Sequence, residues 1–234
     1  MRLLAIETST EACSVAVMVD GAVHERFEVA PRRHTELVLP WAAGLLAEAG
    51  VHRSGLDAIA VSRGPGAFTG VRLGISIAQG IALALDRPLL PVSTLAVLAL
   101  GGAREDGPPV LAAIDARMGE VYAGAFARDG AGLRALSPEV VLSPDALEPP
   151  DAGPWAGVGT GFAAAEGALA RRLGNRLATV DAGALPRAGD LARLGAVVMA
   201  AGGAVAPERV EPAYLRDNVA LTLAEQAAAR AARG

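Results

Sequence analysis

Two short acidic segments come first among the residues whose types and spacing could do chemistry. Glu7-Thr8-Ser9-Thr10 follows an apolar run near the start, and Asp115-Ala116-Arg117 follows a similar run near the middle of the chain. Carboxylates facing one another across a cleft can hold a metal–nucleotide, whereas hairpin turns capped by their own side chains use the same residue types. Glu7, Thr8, Ser9 and Asp115 are therefore the candidate anion or nucleotide contacts. The strongest local signal is Gly64-Pro65-Gly66-Ala67-Phe68-Thr69-Gly70. It reads either as a tight turn opening a helix or as a backbone-amide cradle for an anion at a helix N-terminus. His34 with Glu36 resembles half of a metal site, a spacing equally at home on a solvent-facing or helix-capping segment. Cys13 lies inside an apolar run, where a thiol is inert. No nucleophile with a partnering base emerges, and no set of metal ligands is complete.

Composition narrows the field further. All 21 basic side chains are arginine, because the 234 residues include no lysine. A lysine-dependent phosphate loop and Schiff-base chemistry are thereby excluded. A single cysteine cannot form an internal disulfide, and three histidines are too few for a zinc ribbon. A net charge of -4 opposes independent, tight nucleic-acid binding, which relies on a basic surface. Hydrophobic residues make up 52% of the chain but aromatics only 3%, so the core must be built from close-packed small side chains. The longest uncharged stretch, 88–103, carries prolines and glycines and falls short of the ~20 apolar residues that a membrane span needs. No membrane segment is expected. The opening residues lack an extended apolar region with a cleavage site, so a cytoplasmic setting is expected.

The elements that must position these residues occur twice. Residues 3–7 and 13–19 read as strands, and Asp20-Gly21 as a hairpin turn into a third, alternating strand over 23–29. The same order recurs over 110–115 and 120–126, with Asp129-Gly130 as the turn. Ile6-Glu7 maps onto Ile114-Asp115 and Gly21 onto Gly130, a repeat of about 110 residues, too long for a solenoid unit. Between the copies the pattern predicts a helix over 35–49, capped by Thr35 and kinked at Pro40, and a strand over 56–61. A long helix over 68–85, a strand over 88–92 and a short helix over 94–100 follow. The second half reads as a strand over 155–158 and helices over 163–173 and 191–201, with 138–154 as a Pro-rich loop. An α/β fold of two duplicated lobes, 1–103 and 104–234, is expected, each a mixed five-stranded sheet with flanking helices.

Two helices carry an interaction signal. Gly66, Gly70, Gly74, Ala78 and Ala82 recur every four residues, and glycine within a helix costs about 0.5–1 kcal/mol relative to alanine. A second helix pressed against this strip would offset that cost. The preceding helix is apolar on more than one face through Leu37, Val38, Trp41, Ala42, Leu45 and Leu46, which means burial either within the fold or in a partner.

The duplicated meander with helices resembles the actin/Hsp70/sugar-kinase (ASKHA) superfamily, whose two ribonuclease-H-like lobes close on a nucleotide. Several segments narrow this: Leu4-Ala5-Ile6-Glu7-Thr8-Ser9, His34-Thr35-Glu36-Leu37, the block from Arg63 to Gly74, Asp115-Ala116-Arg117-Met118-Gly119-Glu120-Val121-Tyr122, and Pro212-Ala213-Tyr214-Leu215-Arg216. Together they resemble the bacterial TsaB family, also called YeaZ. The resemblance implies a role in making threonylcarbamoyladenosine beside the anticodon of tRNAs that read ANN codons. There the paralogue TsaD transfers the threonylcarbamoyl group to tRNA, helped by TsaB and the ATPase TsaE. TsaD holds its metal with a His-x-x-x-His pair just after the strand that here ends Pro91-Val92; Ser93-Thr94-Leu95-Ala96-Val97-Leu98 follows instead. Glu7-Thr8-Ser9 also departs from the aspartate–glycine of nucleotide-binding relatives, which argues against autonomous ATP hydrolysis.

The resemblance thus implies a non-catalytic partner or scaffold subunit with no intrinsic cofactor, with ATP or ADP bound only in the partner complex. Its partners would be TsaD and TsaE in a heterocomplex and a second copy in a homodimer, with tRNA reached indirectly. The family interface is a four-helix contact of N-terminal-lobe helices, which would engage Leu37, Trp41, Leu45, Gly70, Leu73, Gly74 and Ile77. On this reading Gly74→Arg blocks the complex and spares the fold. The alternatives are a small-molecule kinase or other nucleotide-binding ASKHA protein, a metalloprotease, and a free-standing tRNA binder.

Overall fold

The computed structural model describes residues 1–216. The first sheet is built from β1 (Arg2–Glu7), β2 (Ala12–Val19), β3 (Ala22–Val29), β4 (Ala58–Ser62) and β5 (Leu89–Val92), in the order β3-β2-β1-β4-β5. β1 pairs antiparallel with β2 and parallel with β4. Asp20 and Gly21 both take positive φ (49° and 90°), which matches the right-handed twist of the strands that they join.

The second sheet repeats this plan with β6 (Val110–Arg117), β7 (Glu120–Asp129), β8 (Gly132–Ala135), β10 (Trp155–Val158) and β11 (Leu177–Asp181), ordered β11-β10-β6-β7-β8. A sixth strand, β9 (Val140–Leu142), pairs with β7, so this sheet has one strand more than the five expected. β9 falls in the Pro-rich segment whose composition predicts a loop, and no sequence pattern marks β11. Three residues between prolines, and a strand exposed over four of its five positions, carry too little periodicity to be seen.

Among the described residues five α-helices join these sheets: α1 (His34–Glu48), α2 (Phe68–Leu85), α3 (Thr94–Gly102), α4 (Ala164–Leu173) and α5 (Ala188–Ala200). α2 has the expected bounds. α1 begins at His34 with Arg33 as its uncapped N-cap, so Thr35 lies inside the helix instead of capping it. It passes Pro40 as one continuous element; the carbonyl that Pro40 leaves without a donor belongs to exposed Glu36, where water can bond it. Within α4, Ala165, Glu166 and Gly167 have left-handed φ/ψ, a break the sequence pattern does not announce.

α1 and α2 cover one face of the first sheet, burying Val38, Leu45, Ile75, Ala78 and Ala82 against Leu4, Ile6, Val15 and Val61. The opposite face packs on Leu191, Ala192 and Leu194 of α5, which comes from the far end of the chain. Reciprocally, α3 lays Leu95, Leu98 and Ala99 on the second sheet, against Val110, Ala112 and Ile114. α4 closes that sheet's outer face over Trp155 and Phe162. Each half of the chain thus lends a helix, the last among its described residues, to the other half's sheet. A cut after residue 103 separates the two sheets but assigns α3 to the sheet that it does not cover.

Candidate functional site

Glu7 ends β1 and is fully buried, and Thr8, Ser9 and Thr10 in the turn behind it are buried as well. Its Oε1 accepts from the Ser9 backbone N–H at 2.7 Å and from the Ser9 hydroxyl, while Oε2 accepts from the Ser62 hydroxyl at the end of β4. Burial raises its carboxyl above the usual range, opposed by the Ser62 and Ser9 hydrogen bonds and by nearby His34. Of the two readings of this segment, the structure supports the self-capped turn. Asp115 takes other partners: it accepts from the Arg117 backbone N–H at 2.7 Å and pairs with the Arg117 guanidinium at 2.8 Å.

His34 is neither solvent-facing nor a cap, contrary to the two placements its spacing suggests. It is buried, and its Nε2 lies 3.1 Å from the carbonyls of Thr10 and Ala12. Two carbonyl acceptors require the proton on that nitrogen. The imidazole therefore pins the β1–β2 hairpin to the first turn of α1. Among the described residues no group of three His, Cys, Asp or Glu side chains is placed to hold a metal ion. Burial pushes the Cys13 thiol up to about 12, in keeping with the inert thiol expected.

The glycines of α2 are corrected as well. A Cβ on Gly70 would sit 2.2 Å from the Thr8 carbonyl oxygen, one on Gly66 2.4 Å from that of Ser9, and one on Gly74 2.6 Å from Thr8 Oγ1. The Ala67 N–H donates to the Ser9 carbonyl at 2.7 Å, and the Thr8 hydroxyl to the Gly70 carbonyl at 2.8 Å. The close approach that the strip of small residues implies is therefore met within the chain, by the turn carrying Glu7. The Cβ positions of Gly70 and Gly74 thus face the Thr8 turn, and Leu45 is buried in its own lobe's core. Leu37, Trp41, Leu73 and Ile77 stay partly exposed, beside Leu39 and Leu83, which are 53% and 64% exposed. α2 has the length and hydropathy of a membrane span, yet one side of it packs on β4 and the core beneath.

The third segment to converge is the C-terminal one. The Ala213 N–H donates to the Arg63 carbonyl at 2.7 Å. Arg72 donates to Tyr214 Oη at 2.7 Å with its guanidinium 3.4 Å from the centre of the Phe68 ring. Arg216 reaches the Glu120 carboxylate and the Ala116 carbonyl beside Asp115. Ser93 caps α3 and donates to Glu139 of the other lobe, whose carboxyl burial raises despite that bond and nearby Arg63. Ser62, Glu139 and the Arg72–Tyr214 pair escaped sequence reasoning, since nothing local marks a hydroxyl or a guanidinium as the partner of a residue far along the chain. Away from these residues, a cavity of about 700 Å³ opens between Phe27, the end of α3, the β10–β11 face and Arg187.

Comparison with known proteins gives the family. The family model described as TsaD, tRNA N6-adenosine threonylcarbamoyltransferase, matches residues 21–223. The tRNA threonylcarbamoyladenosine biosynthesis protein TsaB of Escherichia coli is 45% identical over 94% of this chain and 96% of its own. The solved structure of YeaZ from Pseudomonas aeruginosa superposes with a TM-score of 0.85 at 47% identity, covering 92% of this chain and 99% of that one. A tRNA N6-adenosine threonylcarbamoyltransferase of Moorella thermoacetica is 32% identical across 58% of this chain and 38% of its own length, as a paralogue sharing one portion would be. Relatives that match from end to end, with two duplicated lobes of the same plan, place the chain within a single group: it belongs to the TsaB (YeaZ) family of tRNA threonylcarbamoyladenosine biosynthesis proteins.

Proposed function

We propose that this chain serves threonylcarbamoyladenosine formation in tRNA as a non-catalytic subunit, acting on the transferase TsaD together with the ATPase TsaE in the cytoplasm. One observation carries the non-catalytic part. Glu7, at the position where nucleotide-binding relatives present a carboxylate, is buried with its oxygens taken by Ser9 and Ser62. The turn behind it is filled by the glycines of α2. A carboxylate so enclosed has no path to a metal-bound phosphate. ATP or ADP, where it acts, is bound in the complex and not by this chain alone.

Partner binding falls to the outer side of α1 and α2. Leu37, Leu39, Trp41, Leu73, Ile77 and Leu83 leave apolar surface there that the described residues do not cover, and aliphatic and aromatic anchors are what interface cores use. The same patch suits a second copy or the paralogous partner, because an isologous contact can be exchanged for a related heterologous one.

The deciding experiment measures tRNA modification by TsaD, TsaE and threonylcarbamoyl-adenylate with this protein present or omitted, alongside its own ATP turnover. Modification that depends on it, with no turnover by the lone protein, is the expected result. Robust ATP turnover by the isolated chain would give the kinase-like reading the lead. On size exclusion, Leu73→Arg with Leu83→Arg should prevent complex formation, and an unchanged complex would remove the α1–α2 face from the account.

A further inference from the structure

Beyond α5 the chain returns along the first lobe. Val205 exchanges two backbone hydrogen bonds with Leu89 of β5, each 2.9 Å. Gln79 of α2 donates to the carbonyls of Pro207 and Val210 at 2.9 and 3.2 Å, and the Ala213–Arg63 bond follows. At Tyr214 the chain still holds to α2, through Arg72. Every one of these anchors lies in the first lobe. Arg216 then crosses to the second, where its guanidinium donates to the Ala116 carbonyl at 3.2 Å and to the Glu120 carboxylate, and lies 3.6 Å from the Met118 sulfur.

All three contacts belong to the tip of the β6–β7 hairpin. There Arg117 and Met118 both hold positive φ (64° and 57°), a conformation that residues with a side chain keep only when their surroundings enforce it. The Arg216 side chain is 19% exposed, so water screens its charge little. Its Nη2 donates to both oxygens while Nη1 faces the Met118 sulfur, a spread of donors that the single nitrogen of a lysine does not match.

We propose that Arg216 is a positioning residue: it pins the β6–β7 turn of the second lobe to a strap anchored on α2, so that the second lobe and α2 move as one body. The strap runs beside the helix that bears Leu73 and Ile77, so the lobe angle and the presentation of that helix are coupled. The consequence for partner binding rests on the function proposed above; the consequence for lobe geometry does not.

The test uses the full chain carrying Arg53→Cys and Asn175→Cys, exposed positions in the first and second lobes, each bearing a nitroxide. Buried Cys13 does not compete for the label. Pulsed electron–electron resonance should give one narrow interlobe distance, broadened or lengthened by Arg216→Ala and intermediate in Arg216→Lys. Glu120→Gln should act in the same direction, and adding Arg216→Ala to it should change the distribution by less than the two single changes combined. An unchanged distribution in Arg216→Ala, with a melting curve showing the chain folded, overturns the proposal.

A second arm measures binding to purified TsaD. Arg216→Ala should weaken it about tenfold, the scale of one lost charge-assisted hydrogen bond. Loosened lobes with unaltered affinity would reduce Arg216 to a structural tie and overturn the positioning role. If instead Leu73→Arg with Leu83→Arg leaves TsaD binding intact, the partner-face reading fails while the distance measurement still decides the strap.

Discussion

Glu25 Oε1 accepts a hydrogen bond from the Gly189 backbone N–H at 2.9 Å, joining β3 to the first turn of α5 across 164 residues of sequence. Ser14 Oγ takes the neighbouring Ala188 N–H at 3.0 Å, and Arg187 pairs with the other Glu25 oxygen at 3.0 Å. α5 has no cap of its own, so its free amides are satisfied from the opposite end of the chain. The carboxylate also meets the positive end of the helix dipole.

Glu25→Ala should therefore destabilise the protein by about 1–2 kcal/mol, the range for losing an N-terminal cap. Glu25→Gln, which keeps an acceptor, should cost less. Urea denaturation measures both, and equal losses would mean that the charge and not the cap is what matters.

Two glycines of α2 should respond in opposite ways to the same substitution. Gly70→Ala places a Cβ 2.2 Å from the Thr8 carbonyl and should cost about 2 kcal/mol or more, since backbone must move to admit it. Gly80 has nothing within 4 Å of its Cβ position, so Gly80→Ala should stabilise by about 0.5–1 kcal/mol through helix propensity. Gly74→Arg, which the strip of small residues suggests as a selective block on complex formation, should instead unfold the first lobe. Thermal melts of the three variants check this directly.

The buried Glu7 carboxyl makes stability depend on pH. Its folded-state value is raised by burial, so the folded chain binds the proton more tightly than the unfolded one. That contribution is fully present below the ordinary glutamate value near 4.5 and fades as pH rises through the raised value. Measured against Glu7→Gln by denaturation from pH 4 to pH 8, the natural protein should lose relative stability as pH increases. A relative gain would show that the hydrogen bonds from Ser9 and Ser62 outweigh desolvation.

Cys13 should react with a disulfide reagent only as fast as the first lobe opens. Its thiol is buried in β2 and pushed up to about 12, mainly by desolvation, with Glu28 and Glu7 adding to the rise. Labelling at pH 8 should be slow in buffer and immediate in denaturant. Prompt labelling of the folded protein would show that β2 frays.

Much of the fold is legible without coordinates because it is written in short-range terms. Asp20-Gly21 and Asp129-Gly130 mark the hairpins through the backbone conformations that their residues tolerate, and α2 declares its bounds by periodicity. β9 and β11 lack such marks. The candidate site is legible only in part: Glu7, Thr8 and Ser9 draw attention as polar residues after an apolar strand, but their spacing is the same whether they face a ligand or each other.

The sequence by itself determined the duplicated strand order, the bounds of α2 and the exclusion of lysine chemistry. Only the tertiary structure decided that the α2 glycines receive the Thr8-Ser9 turn, that His34 pins a hairpin, and that α3 and α5 exchange lobes. Hydrogen-bond geometry and side-chain periodicity act over a few residues and leave a readable pattern. Which apolar or small-residue face meets which is settled by how well surfaces far apart in the chain fit together, and that fit has no expression in the spacing of either surface alone.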